Sequence, residues 1–280
     1  MSTVRDRIEE AVSLLADVSD SPRADAEWLM AHYLGISRSR IPTRLDERVD
    51  AADFRLLIER RLAYEPVQYI VGSWEFYSLP MKVRAPVLVP RPETEHLVEI
   101  AIALASQLGP SPRILDLCTG SGCVAIAIAA NIPGASIVAT DIGDDAIRLS
   151  EENARENGLL NRITLRKGDL FAALHDADAP FHVICSNPPY VEETEYGRLS
   201  PSIRLYEDPA ALLAGSDGLD VIRRIVSGAR EYLVPGGGLA LEVGEGQAPL
   251  VQEMLRASDY RDIGSQFDLA GIERIVHARK

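Results

Sequence analysis

Apolar residues recur at helical spacing at the start of the chain, at Val4, Ile8, Val12 and Leu15, the rhythm of a helix with one buried stripe. Ser21 followed by Pro22 predicts a second helix start, with serine as N-cap and proline at the first helical position. That helix runs through Trp28, Leu29 and Tyr33 and stops near Gly35. A third is expected from about Asp50 through Phe54, Leu57, Ile58 and Leu62, and Pro66 bars its extension. Between Gln68 and Pro90 the texture changes. Tyr69–Val71, Trp74–Tyr77 and Met81–Val83 are β-prone, Ser78-Leu79-Pro80 reads as their turn, and Val87–Val89 follows. The pattern predicts a helical domain over 1–70, a β-hairpin linker over 71–90 and a larger domain over 91–280.

In that larger domain strand and helix patterns alternate. Glu95–Leu108 predicts a helix, Arg113–Leu117 a strand, Cys123–Ala130 a helix, Ser136–Thr140 a strand, Asp144–Asn157 a helix and Ile163–Lys167 a strand. Phe181–Cys185 is a fourth strand, Gly218–Leu233 a helix, Gly238–Val243 a strand, Ala248–Ala257 a helix and Arg274–Ala278 a closing strand. Such alternation predicts an α/β fold, a largely parallel sheet with helices on both faces.

Two loops at strand ends carry the candidate chemistry. After Arg113–Leu117 comes Cys118-Thr119-Gly120-Ser121-Gly122 and then a helix. Glycines allow a sharp turn and a close approach to the main chain, and the helix N-terminus adds free N–H groups. Asp141 ends the next strand, 19 positions after Gly122, where a carboxylate can accept both hydroxyls of a ribose. The set predicts a nucleoside-bearing cofactor. Gly120 to Ala125 also fits the G-x-G-x-x-A form of a dinucleotide site, so the loop alone leaves the cofactor open. Asp116 just ahead of the loop would repel phosphates and welcome an amino group, and Arg91 lies before the preceding helix. This charge layout suits S-adenosylmethionine, with adenosine at one end and an amino acid at the other.

The second loop is Ser186-Asn187-Pro188-Pro189-Tyr190, at the carboxyl end of the fourth strand. Ligands in open α/β sheets bind at that end. Asn187 offers a side-chain carbonyl, and Pro188, with its fixed φ, offers a rigid backbone carbonyl. Two fixed acceptors suit the two in-plane hydrogens of a planar –NH2 group, and Tyr190 can stack on one face of it. An amide or aryl nitrogen is a poor nucleophile, so holding both hydrogens prepares it for an arriving methyl group. The plain alternative is that the proline pair merely ends a strand. No base or metal is demanded by the scheme. His175 and His182 lack patterned partners and are expected to be surface or packing residues.

Composition narrows the classes further. A net charge of −13 disfavours a general nucleic-acid or anionic-membrane binder. No apolar run is long enough to span a bilayer, and Met1–Asp6 lacks the features of a secretory signal, so a cytoplasmic location is the expectation. Cys118, Cys123 and Cys185 are expected to be reduced thiols in or near a core.

These residues resemble the release factor glutamine methyltransferase, or protein-(glutamine-N5) methyltransferase, family over nearly the whole chain. Ser21–Ala26, Glu65-Pro66, Gly72–Tyr77, Val89–Glu95, Asp116–Gly122, Asp141, Asn187–Tyr190, Asp208–Leu212, Asp217–Leu219 and Asp268–Gly271 carry the likeness. The resemblance implies a class I S-adenosylmethionine-dependent methyltransferase domain, Rossmann-like, with a seven-stranded, mostly parallel sheet whose final strand is antiparallel. It implies an N-terminal helical domain that docks a protein substrate, and, as partner, peptide chain release factors carrying a Gly-Gly-Gln tripeptide. By the same likeness Asn187, Pro188, Pro189 and Tyr190 contact the glutamine amide. Cys118 to Gly122 line the cofactor with Asn187 beside them, Asp141 meets the ribose, and Asp169-Leu170 lie near the adenine. Two positions depart from the family pattern: Cys118 stands where many relatives have glycine, and Leu170 where some have an aromatic ring. A monomer without membrane or direct nucleic-acid contact is expected.

Two other activities compete on the residues alone. Adenine's exocyclic amine has the same planar shape, which keeps N6-adenine methylation open, although no basic recognition domain is apparent. A nicotinamide-dependent dehydrogenase fits the glycine loop and leaves Asn187–Tyr190 without a purpose. A cofactor-binding scaffold without activity is a fourth reading.

Overall fold

The computed structural model of the chain describes residues 2–50, 52–175 and 178–280, and divides into two compact units, 1–74 with 200–207, and 75–199 with 208–280. The first unit pairs a short strand, β1 (Ser2–Thr3), with β2 (Arg48–Val49), and carries helices α1 (Val4–Leu15), α2 (Pro22–Leu34), α3 (Ala52–Leu62) and α4 (Val67–Val71). The expected start of the third helix touches position 51, outside the described residues. Its core joins Val4, Ile8, Leu15, Leu29, Phe54 and Ile58, the apolar stripe seen in the sequence. A buried ion pair joins Arg61 Nε to Asp25 Oδ2 at 2.7 Å, and Ser19 Oγ donates to the same carboxylate oxygen.

Local chemistry explains several helix ends. Thr3 and Asp6 form a reciprocal capping box at the start of α1. Ser21 stands at the N-cap of α2 but makes no side-chain cap bond; its own N–H donates to Ser19 Oγ instead. Tyr69–Val71, expected to be strand, lies in α4. That helix opens at Pro66 and is ended by Gly72 at φ +78°, and its buried side chains decide against extension.

The hairpin follows as β3 (Ser73–Phe76) and β4 (Leu79–Lys82). Its turn is Tyr77-Ser78, both left-handed at φ +52° and +61°, rather than the expected Ser78-Leu79-Pro80. A two-residue turn of that hand matches strand twist, and Pro80 then falls inside a strand with only one partner.

In the second unit a seven-stranded sheet runs in the order β10-β11-β9-β8-β5-β6-β7. Its elements are α5 (Glu95–Ser106), β5 (Arg113–Leu117), α6 (Cys123–Asn131), β6 (Ser136–Asp141), α7 (Asp144–Glu156), β7 (Ile163–Lys167), β8 (Phe181–Ser186), α8 (Glu193–Tyr196), α9 (Pro201–Tyr206, in the first unit), α10 (Asp220–Tyr232), β9 (Leu233–Glu242), α11 (Ala248–Ala257), β10 (Arg261–Phe267) and β11 (Glu273–Arg279). Strands β7, β6, β5, β8 and β9 are parallel, while β11 is antiparallel to β9 and to β10. Strand β10 was not expected: its side chains are exposed or half-buried and mostly polar, so it lacks the apolar alternation that marks a strand. The central strands are buried on both faces, as parallel strands between helix layers must be. One core lies against α5 and α6 (Leu97, Ala101, Ile114, Ile126, Val183). Another lies against α10 and α11 (Leu115, Leu117, Ile222, Leu241, Val251).

Chain order reverses between β5 and β8: from β5 the sheet grows one way through β6 and β7, and β8 is then laid on its other side. Such a switch point opens a crevice beyond the strand ends. The register sets Leu117 beside Ser186, so the loops that follow the two strands leave the sheet side by side.

Candidate active site

The glycine loop is shaped by its own backbone. Cys118, Gly120 and Gly122 are all left-handed, at φ +58°, +56° and +81°. A side chain on Gly120 would meet open space, whereas a Cβ on Gly122 would come within 2.8 Å of Ser150 Cβ. Gly122 is thus needed for close packing on α7, and Gly120 for the turn and an exposed main chain. Asn153 of α7 fastens the loop to the hairpin: its Nδ2 donates to Ser121 O and Lys82 O, and its Oδ1 accepts Lys82 N–H.

Two acids face this loop. Asp116 is 1% exposed and accepts the Thr119 hydroxyl at 2.6 Å. Burial pushes its pKa up to about 7, against the pull of the Thr119 bond. Asp141 accepts Gly120 N–H at 2.9 Å through Oδ2 and Gly143 N–H at 2.8 Å through Oδ1. Burial raises its pKa too, and these backbone bonds oppose the rise.

Asn187 lies across the switch point. Its Nδ2 donates to Thr94 Oγ1 at 3.2 Å. Pro188 is buried and Tyr190 half-buried. The Tyr190 hydroxyl is 3.4 Å from Glu242 Oε1, and its carbonyl accepts Gln247 Nε2 at 3.0 Å. Burial pushes the phenol well above its usual range, so it stays protonated.

Arg91, Thr94, Asp116, Cys118 to Ser121 and Asn187 line one small cleft. Arg91, remote in sequence from the loop, is therefore beside it in space. Asp169 and Leu170 do not line that cleft: the Asp169 carboxylate pairs with Arg224 at 2.7 Å, and Leu170, left-handed at φ +50°, is buried with Leu115 and Val138. Cys118 is partly exposed and Cys123 and Cys185 are buried; burial pushes the Cys118 and Cys123 thiols up to about 12, which keeps them protonated. His182 Nδ1 accepts Arg113 N–H at 3.0 Å, a packing role. Sequence reasoning missed Thr94 and Glu242 as parts of the site. A carboxylate closing the apolar run Leu239-Ala240-Leu241-Glu242 was the available signal.

The donor set fits S-adenosylmethionine. One buried acid, Asp116, in the same cleft as Arg91 suits a zwitterion, a pinned carboxylate at the end of β6 suits a ribose, and open space at Gly120 admits a close ligand. The sheet order and this loop, with a match to the methyltransferase small domain, define a class I methyltransferase. The same fold occurs in the N-terminal domain of human METTL16 in complex with SAH, at TM-score 0.54 and 19% identity over 73% of this chain and 76% of that one. Family models match at residues 6–72, PrmC N-terminal domain, and at 98–201, methyltransferase small domain. The release factor glutamine methyltransferase of Rhodopirellula baltica is 41% identical over 94% of this chain and 90% of its own length. That of Geobacter sulfurreducens is 38% identical over 99% and 96%. The chain belongs to the release factor glutamine methyltransferase family.

Proposed function

We propose that the chain transfers a methyl group from S-adenosylmethionine to the side-chain amide nitrogen of the glutamine in the Gly-Gly-Gln tripeptide of peptide chain release factors. Membership of the family supports this over adenine methylation and over a nicotinamide enzyme. The observation that carries the reading is the orientation of Asn187. With Nδ2 given to Thr94, Oδ1 is the atom left for a ligand.

Bound S-adenosylmethionine supplies an electrophilic sulfonium methyl group. Cys118 to Gly122 cradle it, Asp116 and Arg91 hold its amino-acid end, and Asp141 receives its ribose hydroxyls. Asp169 and Leu170 border the adenine end; Asp169 acts electrostatically on Cys118. Asn187 Oδ1 and the Pro188 carbonyl each accept one hydrogen of the glutamine –NH2. Both hydrogens then lie in the amide plane, and the nitrogen's lone pair is presented on the face opposite Tyr190. Two oriented acceptors polarise the nitrogen as positive charge develops on it, and one of the protons they hold is the one lost after transfer. Pro189 keeps the segment extended behind them. The helical unit serves as the docking domain, with the hairpin over 71–90 as linker and 91–280 as the catalytic domain. Among the described residues no helix is long and apolar enough to cross a membrane; a cytoplasmic monomer is the form proposed.

The test is the mass of a release factor after incubation with enzyme and methyl donor. One methyl group should be added, and none when the tripeptide glutamine is replaced by alanine. Asn187→Ala should slow turnover by about 100-fold or more while S-adenosylhomocysteine binding stays within a few fold. Undiminished turnover in that variant would remove the amide-holding role.

A further inference from the structure

Glu242 ends β9, and the pairing of Ser186 with Leu241 brings it level with Asn187. It is 1% exposed, and among the described residues its Oε2 has no hydrogen-bond partner. A bare carboxylate oxygen in a core is expensive to keep, so its surroundings require an explanation. Burial pushes its pKa up to about 7; against that rise work the Tyr190 hydroxyl at 3.4 Å, the hydroxyl of Thr94 and Arg274, while Glu93 adds to it. Thr94 is itself 2% exposed.

The hydrogen-bond directions follow from counting protons. A threonine hydroxyl has one hydrogen to give and lone pairs with which to accept. An asparagine amide can meet it either way round: Nδ2 donating, or Oδ1 accepting after a flip. If Thr94 gave its hydrogen to Asn187, the Asn187 oxygen would be consumed and its –NH2 would face the cleft, where it would repel a substrate –NH2. In its ionised form Glu242 has no hydrogen to give and can only accept. Beside that form, Thr94 can turn its hydrogen toward Glu242 while its lone pairs accept from Asn187 Nδ2.

We propose that Glu242 is a positioning residue: by drawing the Thr94 hydrogen to itself it makes Thr94 accept from Asn187 Nδ2, and so turns Asn187 Oδ1 toward the substrate amide. The proposal rests on the role given above to Asn187. It makes Thr94 a relay, and it gives Glu242 a second task in holding the Tyr190 ring by its hydroxyl.

The test compares Glu242→Leu, Thr94→Val, Thr94→Ser and the Glu242→Leu/Thr94→Val pair in methyl transfer to release factor. Leucine removes the charge with little change of bulk, and a buried site tolerates such a change well. Glu242→Leu and Thr94→Val should each lower kcat by about 10- to 100-fold, with KM for the release factor and binding of S-adenosylhomocysteine within a few fold. Thr94→Ser, which keeps the hydroxyl, should retain kcat. The pair should be no slower than the slower single variant, because both break one relay. A normal kcat in Thr94→Val, or independent multiplying losses in the pair, overturns the proposal; the Thr94 variants alone decide it if Glu242→Leu does not fold. Asn187→Ala separates the two readings. If it is inactive while Thr94→Val and Glu242→Leu are normal, only the relay fails, and if it is fully active the amide-holding role fails with it.

Discussion

The Asp141 carboxylate and the Gly120 amide, 21 residues apart, meet at 2.9 Å. With its other oxygen on Gly143 N–H at 2.8 Å, Asp141 ties the glycine loop after β5 to the turn after β6. One carboxylate thus shapes the loop, and by the function proposed above it would also receive a ribose. Asp141→Asn replaces one acceptor oxygen with a donor and leaves a backbone N–H unmet. The expected loss is about 1–3 kcal/mol of stability, with weaker S-adenosylhomocysteine binding, measured by urea denaturation and calorimetry. Binding and stability equal to the parent's would contradict this double role.

Gly122 and Gly120 separate two reasons for glycine. Gly122→Ala adds left-handed strain of about 1–2 kcal/mol and a contact with Ser150 Cβ at 2.8 Å. Gly120→Ala adds the strain alone, since its Cβ would meet nothing within 4 Å. Denaturation midpoints should therefore fall further for Gly122→Ala. The reverse order would show that α7 yields easily at Ser150.

If Asp116 holds the amino group of the cofactor as proposed, it should link cofactor binding to pH. Its folded pKa is raised to about 7 by burial first and by Asp141 second, while an unfolded aspartate titrates near ~3.9. The folded protein therefore holds a proton that the unfolded chain releases between those values. The stability from this group is full below about pH 4, declines as pH rises to about 7, and is level above it. Binding runs the other way, because the ionised acid is the form that attracts an amino group. Affinity for S-adenosylhomocysteine should rise between about pH 6 and 7.5. Asp116→Asn should bind more weakly and without that rise; an unchanged pH dependence in it would assign the proton elsewhere.

In the helical unit, Arg61 is held by Asp25 at 2.7 Å and by Val18 O at 3.1 Å. Arg61→Ala strands a buried carboxylate and should cost about 3–5 kcal/mol. The Asp25→Leu/Arg61→Met pair should recover much of that loss. Both tryptophans, Trp28 and Trp74, pack in this unit with tilted rings 4.9 Å apart, so their fluorescence reports its unfolding directly. Equal midpoints for parent and Arg61→Ala would mean that the pair adds nothing to the fold.

How legible all this was depended on the range of the interaction responsible. Strands β5 to β8 and helices α5 to α7 announce themselves because their buried faces demand apolar runs of the right period. Asp116, the glycine loop, Asp141 and Asn187–Tyr190 are legible for a related reason: backbone conformation and donor geometry admit few residue types there. Tyr69–Val71 was not legible, since five residues between Pro66 and Gly72 satisfy either a strand or one helical turn until burial chooses. Strand β10 was hidden by its exposed, polar side chains, which leave hydrogen bonding to β11 as its main cause.

The amino-acid order by itself thus determined the class of fold, the two loops at its strand ends and the residue types in them, because periodicity and local stereochemistry act over a few positions. Tertiary structure alone decided that Thr94 takes the Asn187 amide, that Arg91 borders the cleft and that Glu242 is buried beside Tyr190. Those relations join residues 25 to 96 positions apart, and no short-range rule fixes which distant polar groups share one desolvated space.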